Sequence, residues 1–392
     1  MIGHKRIPSR EGGIEIVVEE LSVRLAQQGH KVTAYNRKGH HVSGKEFETQ
    51  KLKSYKGVTL KNVFTFESSK LNAIVYSILA SICAAFSKAK VVHFHAEGPS
   101  SMCWLPKLFG KRVIVTIHGL DWQRSKWGGF ATKFLKFGEK MAAKHADEVI
   151  VLSKNVQQYF LDTYNRPTVF IPNGVTKPEI KDDSLIKEKY NISKNEYILF
   201  LGRIVPEKRV HSLIKAYSKL STDKKLVIAG GSSHTDRYME DIKYLSKDND
   251  NIILTDFVDG ELLEELYSNA FIYCLPSDLE GMPLSLLEAM SYGNCCLTSD
   301  IPECTEVCCD KAVYFEKGNE DELQKQLQIL LENPQLVDGY KLNASSYICS
   351  KYSWSSVVSW TYGVLLWFQT QGLAPSPSDG RAYGLQLRCL SE

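Results

Sequence analysis

The 392-residue sequence predicts an α/β protein with two doubly wound, Rossmann-like domains, and three observations lead to that prediction. Short apolar runs alternate with segments of helical periodicity, which is typical of parallel sheets covered by helices on both faces. Apolar residues make up 43% and charged residues 24%, as in a globular protein long enough for two domains. The charge is divided, because residues 1–175 contain 26 Lys and Arg against 13 Asp and Glu, whereas residues 176–392 contain 22 against 32.

The first half begins with a loop at residues 8–13, and apolar residues then recur at helical spacing through residues 14–28. The strands predicted after it are residues 32–35, 58–64, 91–95, 112–117, 148–152 and 168–171. Only two residues precede Gly3, so we expect the first strand to be truncated. Residues 71–87 are free of charge but short for a membrane span, which favours a buried crossover helix.

The second half repeats the alternation after a polar segment that reaches about residue 195. The predicted strands are residues 197–201, 225–229, 251–255, 271–275 and 295–298, and the predicted helices include 210–220 and 261–269. In doubly wound sheets of this kind, ligands bind beyond the carboxyl ends of the strands. The loops that follow the strands are therefore the places to search for functional residues.

The loop and helix after residues 271–275 contain two carboxylates, Glu280 and Glu288, eight residues apart. Met282 is the expected helix cap and Pro283 the expected first helical residue, because the missing N–H of proline would have no partner there. A helix N-terminus directs free N–H groups and partial positive charge toward a phosphate. A ligand with a diphosphate at the helix end and hydroxyls on both sides would fit this layout, and a nucleotide-sugar has that shape.

Two further loops are suited to contact a phosphate. The strand 197–201 is followed by Gly202, which permits close backbone approach, and then by Arg203 and Lys208. An arginine fork and a lysine point charge can hold a diphosphate and stabilise its charge as it leaves. Gly12 and Gly13 lie between the first strand and the first helix, where backbone N–H groups can reach a phosphate. No acidic residue ends the second strand, which argues against a nicotinamide site.

Histidines end two strands of the first half. His118 follows residues 112–117, where it could position a sugar hydroxyl or share charge in a transition state. A satisfied core histidine is an equal alternative for His118. His93 and His95 end the preceding strand, and Asp121 lies just after His118, so these three residues are further candidates for lining the same cleft on the acceptor side.

Neither a metal site nor a nucleic-acid partner is predicted. The cluster Cys304, Cys308 and Cys309 lacks paired CxxC units and nearby histidines, and residues 248–250 are interpreted as a turn. No helix-turn-helix, zinc-finger or RNP pattern is present.

Residues 1–13 lack the apolar core of a signal peptide, so we expect a cytoplasmic protein. The basic first half and the aromatic, lysine-rich residues 122–140 make the inner face of an anionic membrane a candidate peripheral surface, with an ordinary amphipathic helix as the alternative.

Together these residues resemble glycosyltransferase family 4, whose members are retaining enzymes of the GT-B fold, with two Rossmann-like domains facing across a cleft. The resemblance extends to about residue 368. The matching pieces are Gly12-Gly13, His118, residues 171–174, Gly202-Arg203 with Lys208, and Glu280 with Glu288. It implies an acceptor domain at 1–172, a nucleotide-sugar domain at 173–350 and a helix at 351–368 that crosses back to the first domain. Residues 369–392 are rich in Gly, Ser and Pro and are expected to form a disordered tail.

The resemblance also implies roles for single residues. Arg203 and Lys208 would grip the diphosphate of the donor. Glu288 would bind its ribose and Glu280 its sugar, while His118 would reach that sugar from the first domain. The other residues expected to contact the donor are Gly12 and Gly13 near the phosphates, Val258 and Leu262 near the base, and Gly281, Met282, Pro283 and Leu284.

The expected reaction moves a sugar from a nucleotide-diphosphate-sugar to a saccharide or lipid-linked acceptor, in the synthesis of a cell-surface polysaccharide or glycolipid. A retaining front-face attack needs no carboxylate nucleophile, because the leaving phosphate can take the acceptor proton, and this differs from the two-carboxylate arrangement of glycosidases. We expect no metal and no other cofactor if Arg203 and Lys208 supply the positive charge. Two alternatives remain open, a nucleotide-sugar 2-epimerase on the same fold and a non-catalytic nucleotide-sugar binder.

Overall fold

The structure is a computed structural model that describes residues 1–38, 52–66, 71–124, 128–231 and 236–366. The strands are β1 (Thr33–Arg37), β2 (Ser54–Tyr55), β3 (Val58–Val63), β4 (Val91–His95), β5 (Arg112–Ile117), β6 (Glu148–Val151), β7 (Val169–Phe170), β8 (Tyr197–Leu201), β9 (Lys225–Ala229), β10 (Ile252–Asp256), β11 (Ile272–Leu275), β12 (Cys295–Ser299) and β13 (Val313–Phe315). The helices are α1 (Gly13–Gln27), α2 (Asn72–Ala85), α3 (Glu97–Ser100), α4 (Trp104–Leu108), α5 (Gly129–His145), α6 (Lys154–Tyr164), α7 (Ser184–Tyr190), α8 (Val210–Ser218), α9 (Asp236–Ser246), α10 (Gly260–Asn269), α11 (Leu284–Ser291), α12 (Pro302–Cys308), α13 (Glu320–Glu332), α14 (Pro334–Lys351) and α15 (Trp354–Leu366).

The first three residues join the two sheets of the N-terminal half, one of them mixed because β2 pairs antiparallel with β3. Strands β1 and β3 pair in one sheet, and β4, β5, β6 and β7 pair in order in the other. On one side the N–H of Tyr35 donates to the carbonyl of Met1 at 3.1 Å. On the other side the N–H of Ile2 donates to His93 at 2.9 Å, and the N–H of His95 donates to Ile2 at 2.8 Å. The residues ahead of Gly3 therefore lie between β1 and β4 and connect the two sheets through backbone hydrogen bonds.

The C-terminal half contains one parallel sheet of six strands in the order β10-β9-β8-β11-β12-β13. Strands β9 and β10 follow one another on one side of β8. The chain then returns to the other side of β8, where it forms β11, β12 and β13. The gap between β8 and β11 is therefore the topological switch point, where a crevice opens beyond the carboxyl ends of the strands. The loops that follow β8 and β11 contain Arg203, Lys208 and Glu280.

The last described helix connects the two halves. Helix α15 begins at Trp354, whose ring lies over Gly174 in the segment that joins the domains. Farther along, the ring of Tyr362 lies 4.8 Å from the ring of His30, and the carbonyl of Val364 accepts a hydrogen bond of 2.9 Å from Arg112. Helix α15 therefore packs on the first domain, in the crossing arrangement that the resemblance implied.

Most predicted strands agree with the observed ones to within two residues at each end, and several boundaries are identical. Two expectations were wrong. The polar segment before residue 195 contains a helix, α7, that had not been predicted. Helix α2 is only partly buried, because its outer face exposes Ile78, Ile82 and the adjacent Phe86. The predicted tail at 369–392 and the end of the last predicted helix lie outside the described residues, as do Trp127 and its neighbours in the aromatic segment.

No helix in the described ranges combines the length and the apolar character that crossing a membrane requires.

Candidate functional site

Two predicted residues, Lys208 and Glu280, meet at the switch point of the C-terminal sheet. Because β8 and β11 are neighbours, the loops that follow them run side by side, and the N–H of Asp278 donates to the carbonyl of Glu207 at 2.8 Å. Across these loops, Nζ of Lys208 lies 2.5 Å from Oε1 of Glu280. The two side chains are only 11% and 9% exposed. This charged pair is shielded from solvent, so each partner holds the other in a defined position.

The segment after Glu280 begins helix α11 one residue later than predicted. Pro283 is the N-cap, with φ −75° and ψ 102°, and Leu284 is the first helical residue. The expectation that Met282 caps the helix was therefore wrong, because ψ at Pro283 is still extended. Met282 is instead held by Asn173, whose side-chain amide donates to its carbonyl at 3.2 Å. This contact fixes the loop to the segment that joins the domains.

Glu288 lies one turn inside α11 and is contacted from both domains. The hydroxyl of Tyr267 donates to Oε2 of Glu288 at 3.1 Å, and Nη1 of Arg10 lies 3.5 Å from Oε1. Burial raises the pKa of Glu288, while the charge of Arg10 and the hydrogen bond from Tyr267 oppose that shift. Arg10 was not predicted, because nothing in the loop 8–13 indicates which carboxylate of the other domain it contacts.

The backbones of the two domains touch beside this helix start. A Cβ on Gly281 would lie 1.7 Å from the carbonyl oxygen of His118, and a Cβ on Gly119 would lie 2.9 Å from Cα of Gly281. Nearby, a Cβ on Gly13 would lie 3.3 Å from the side chain of Leu284. The N-termini of α1 and α11 therefore converge on one region, with the loop after β5 beside them. Both helices direct unpaired N–H groups and partial positive charge into that region.

His118 is 9% exposed, and His93 and His95 lie behind it. Nδ1 of His95 is 3.0 Å from Nε2 of His118, and Nε2 of His93 is 2.7 Å from Oγ1 of Thr116. Burial lowers the pKa of His118 to about 4 and that of His93 to about 3. His93 and His95 do not line the cleft as expected, because both side chains are buried, and β4 lies between β5 and the backbone of Ile2.

Positive charge enters the cleft from both domains. Within the described residues, the guanidinium of Arg203 forms no hydrogen bond or ion pair, and burial together with the nearby charge of Arg124 lowers its pKa. Arg124 was not predicted, and its Nε pairs with Oδ1 of Asp121 at 2.9 Å. Burial lowers the pKa of Arg124, but the carboxylates of Asp121, Glu207 and Glu280 outweigh this effect, so the pKa of Arg124 is raised above its ordinary value. Asp121 therefore lies in the charged cleft, paired with Arg124.

The candidates predicted near a nucleotide base lie at the edge of this region. Val258 is buried in the core of the C-terminal domain, and Leu262 is partly buried against that core. Asp259, between them, caps α10, and its charge acts on both Arg10 and Glu288. Among the described residues, no group of three His, Cys, Asp or Glu side chains is arranged to hold a metal ion.

Two protein-family models match the chain, one for each domain. The model described as Glycosyltransferase Family 4 matches residues 11–177, and the model described as Glycosyl transferases group 1 matches residues 182–346. The boundary between the two matches falls at the segment that joins the domains. The two models also divide the candidate site, with Gly12, Gly13 and His118 in the first match and Arg203 to Glu288 in the second.

The curated relatives are glycosyltransferases. An uncharacterized glycosyltransferase of Methanocaldococcus jannaschii is 30% identical over 270 residues, which are 63% of this chain and 66% of the relative. The O-antigen chain mannosyltransferase of Salmonella typhimurium is 25% identical over 55% of this chain and 59% of its own length. The N-acetyl-alpha-D-glucosaminyl L-malate synthase of Bacillus anthracis is 24% identical over 89% of this chain and 92% of its own length.

Solved structures have the same two-domain architecture. Sucrose-phosphate synthase from Thermosynechococcus elongatus has a TM-score of 0.77 at 18% identity, over 92% of this chain and 94% of that chain. The Anabaena protein HepE, in complex with UDP and glucose, has a TM-score of 0.77 at 13% identity, over 93% and 97%. At these identities the likeness concerns the fold alone, and it confirms the predicted GT-B arrangement of two Rossmann-like domains.

Proposed function

Because the chain belongs to the glycosyltransferases, with a family 4 domain followed by a group 1 domain, we propose that it transfers a sugar with retention from a nucleotide-diphosphate-sugar. The prediction of a glycosyltransferase is thereby confirmed, and relatives such as the O-antigen mannosyltransferase connect it with polysaccharide and glycoconjugate synthesis. The donor class, the stereochemistry and the acceptor are parts of the proposal.

The observation on which the donor class rests is the convergence of positive charge and helix N-termini at one cleft. Arg203 and Lys208 come from the loop after β8, and the first turns of α1 and α11 face each other beside them. A diphosphate placed there would gain charge-assisted hydrogen bonds and the favourable ends of two helices. Glu288 would accept hydrogen bonds from the ribose on one side. HepE, which has the same fold, has been solved with UDP and glucose, which supports a nucleotide-sugar donor.

The pairing of Glu280 favours retention without an enzyme nucleophile. Its carboxylate faces the ammonium group of Lys208 at 2.5 Å, so its charge is engaged and its position is fixed for hydrogen bonding to sugar hydroxyls. Breaking the bond to the diphosphate leaves negative charge on phosphate, which Lys208 and Arg203 stabilise where it develops. The leaving phosphate oxygen then accepts the proton of the attacking acceptor hydroxyl on the same face. The anomeric configuration of the product is therefore the same as in the donor.

The donor class is tested by measuring thermal stabilisation with UDP-, GDP-, dTDP- and ADP-sugars. A ligand present at a hundred times its dissociation constant should stabilise the protein by about 2.7 kcal/mol. We expect Arg203→Ala to abolish this stabilisation, whereas Lys219→Ala, which removes an exposed lysine just after α8, should leave it unchanged. If no nucleotide-sugar binds the parent protein, or if both variants behave alike, the proposed donor site is wrong.

The stereochemistry is tested on the product. Proton NMR of the glycosidic linkage formed from a donor of known anomeric configuration should show that the configuration is kept. Inversion would require a carboxylate base opposite the leaving group and would contradict the role given to Glu280. We also propose that no metal is needed, so turnover should persist in excess EDTA, and a turnover that divalent cations restore would overturn that part.

We propose that the protein binds a membrane surface, where it reaches a lipid-linked acceptor. The C-terminal end of α2 and the end of α4 expose Phe86 and Leu108, which are 73% and 74% accessible, and the Phe86 ring stacks edge-on against Phe109 at 4.8 Å. Lys88 and Lys107 are exposed beside them. Apolar side chains bordered by lysines are typical of proteins that bind anionic bilayers.

Flotation with vesicles tests this surface. The protein should bind vesicles that contain anionic lipid and should not bind purely zwitterionic vesicles. Phe86→Ser with Leu108→Ser should abolish binding, while Leu342→Ser, which removes an equally exposed leucine from α14, should not. If the variant with Phe86→Ser and Leu108→Ser still binds the vesicles, the proposed membrane surface is wrong.

A further inference from the structure

His95 lies entirely inside the first domain, and among the described residues its ring forms a hydrogen bond with His118, which borders the cleft. Its side chain is fully buried, and its ring lies 4.2 Å from the ring of His93 and 5.3 Å from that of His118, measured between ring centroids. Nδ1 of His95 is 3.0 Å from Nε2 of His118, which is within hydrogen-bond distance. Substrate cannot touch His95, so any effect it has on the reaction must act through His118.

A hydrogen bond between two imidazole nitrogens requires a proton on one and a lone pair on the other. Burial lowers the pKa of His95 well below its ordinary value and that of His118 to about 4, so both rings are neutral near pH 7. Two arrangements are then possible. Either His95 donates from Nδ1 and His118 has its own proton on Nδ1, or His118 donates from Nε2 and His95 must have its proton on Nε2.

The surroundings of His95 distinguish the two arrangements. Its Nε2 is buried and has no hydrogen-bond partner among the described residues. A proton on that nitrogen would be a buried donor without an acceptor, which costs more than a buried lone pair because unpaired donors are the rarer defect in proteins. The arrangement in which His95 donates leaves only a lone pair at Nε2, so it is favoured.

The same arrangement suits the cleft side of His118. Nδ1 of His118 has no hydrogen-bond partner within the described residues, and it is not sealed off as Nε2 of His95 is. The carboxylates of Asp121 and Glu15 both act on this ring. When His95 is the donor, the proton of His118 lies on Nδ1, where an acceptor in the cleft can bind it.

We propose that His95 is a positioning residue that fixes His118 in the Nδ1–H tautomer, so that His118 presents a hydrogen-bond donor to the sugar in the cleft. The structural part, the tautomer, stands on the geometry of the two rings. The consequence for turnover rests on the proposed function, in which His118 contacts the donor sugar. An acceptor such as a hydroxyl oxygen of the sugar would complete the hydrogen bond.

The tautomer is tested by NMR of protein labelled with ¹⁵N-histidine, with the signals of His118 assigned from a His118→Gln sample. In the parent protein Nδ1 of His118 should be the protonated, pyrrole-type nitrogen and Nε2 the pyridine-type nitrogen. The opposite assignment overturns the proposal by itself. This measurement needs no substrate, so it decides the matter even if the protein proves inactive with every donor.

Variants test the consequence for turnover. His95→Asn places an amide N–H where Nδ1 stood and should retain the tautomer and most of kcat. His95→Leu has no donor, so we expect mixed tautomers and a kcat lower by about 10- to 100-fold at nearly unchanged KM, by analogy with the loss when a partner that orients a metal-binding imidazole is removed. His93→Leu is the matched control, because it removes an equally buried histidine that bonds Thr116 rather than His118. Equal losses in the two leucine variants, or a His95→Leu variant with the parent tautomer and kcat, would contradict the proposal.

Discussion

Charged side chains of this cleft form ion pairs, and a bound ligand would contact residues that already have a partner. Glu288 faces Arg10 at 3.5 Å, and Lys208 faces Glu280 at 2.5 Å. Each pair joins a predicted donor-binding residue to a charge from another loop, and the first joins the two domains. Charge pairs of this kind hold the geometry of the site in the absence of ligand, and their strength depends on how well each pair is shielded from water.

The Arg10–Glu288 pair predicts a pH dependence of donor affinity. Ribose hydroxyls need the ionised form of Glu288 as acceptor, and burial raises the pKa of this carboxyl while Arg10 opposes the shift. Affinity should therefore be full at high pH and fall as the pH drops through the pKa of Glu288. In Arg10→Ala this pKa rises, so the loss should begin at a higher pH. Calorimetric titration of the donor from pH 8 to pH 5 measures the midpoint, and Arg24→Ala, on the same domain, is the control. A midpoint that does not move, or moves downward, would show that Arg10 does not control Glu288.

The Lys208–Glu280 pair predicts that stability and activity can be separated. Lys208→Met should lower kcat by about 10² to 10³, as expected when one preorganised donor to developing charge is removed. It should also lower the free energy of unfolding by about 3–5 kcal/mol, because Glu280 is left buried without its counter-charge.

Adding Glu280→Leu to Lys208→Met should restore much of this stability without restoring turnover, since the buried charge is gone but the cation is still missing. Denaturant unfolding and steady-state kinetics on the same samples make the comparison, and Lys219→Met is the control. Recovery of turnover together with stability would mean that Lys208 has only a structural role.

At the scale of elements, the carboxyl ends of β4 and β5 gather buried histidines next to the first residues of the chain. His93, His95 and His118 lie on these ends, and Nε2 of His4 bonds Asn36 at 2.9 Å. Burial lowers the pKa of His4 to about 4, as it does for His118. These rings are buried inside the first domain, so their protonation acts on the stability of that domain.

These histidines predict that stability is lost in mild acid. Because their folded pKa values lie below the ordinary value of 6.5, the unfolded chain binds more protons than the folded chain between those values. The free energy of unfolding is therefore unaffected by protonation of these histidines above about pH 6.5, and it falls as the pH drops toward their folded pKa values. His93→Asn removes one titrating group. From pH 6 to pH 4.5, the free energy of unfolding of the variant should therefore fall less steeply than that of the parent, and the two slopes should differ by about 1.4 kcal/mol per pH unit. Equal slopes in parent and variant would show that His93 is not buried in its neutral form.

At the scale of the whole molecule, the two domains meet where two glycines touch. The approach of Gly281 to the carbonyl of His118 leaves no room for a side chain, and φ of Gly119 is +141°, a value that favours glycine. Helix α15 contacts the joining segment through Trp354 over Gly174, and the first domain through His30 and Arg112. The relative position of the domains thus depends on a backbone contact at the cleft and on a helix that crosses between them.

The glycine contact predicts that a single methyl group blocks domain closure. In Gly281→Ala the new Cβ would lie 1.7 Å from the carbonyl oxygen of His118, so the domains should stay farther apart. We expect a larger radius of gyration in small-angle scattering with donor present, and a kcat lower by about 10²-fold, because residues from the two domains no longer meet. Gly339→Ala is the control, since a Cβ on that helical glycine meets nothing within 4 Å. Parent-like scattering and turnover in Gly281→Ala would show that this contact is not needed for closure.

Much of the fold could be predicted because periodicity is local. The runs that became β4, β5, β8 and β9 were predicted with the observed boundaries, since buried parallel strands need only their own apolar side chains to be recognised. Boundaries that depend on a single dihedral angle were less certain. The start of α11 differs by one residue because ψ at Pro283 is extended, and α7 was missed because its polar sequence buries little beyond Ile186.

The sequence by itself determined the two doubly wound domains, the loops that follow their strands and the types of residue those loops contain. Only the tertiary structure decided which side chains meet: Arg10 with Glu288, Lys208 with Glu280, and His95 with His118. The physical reason is that strands and helices are set by interactions over a few residues, whereas each of these contacts joins segments far apart in the chain. Such contacts depend on the order of strands in a sheet and on how closely two domains approach, and no local pattern contains that information.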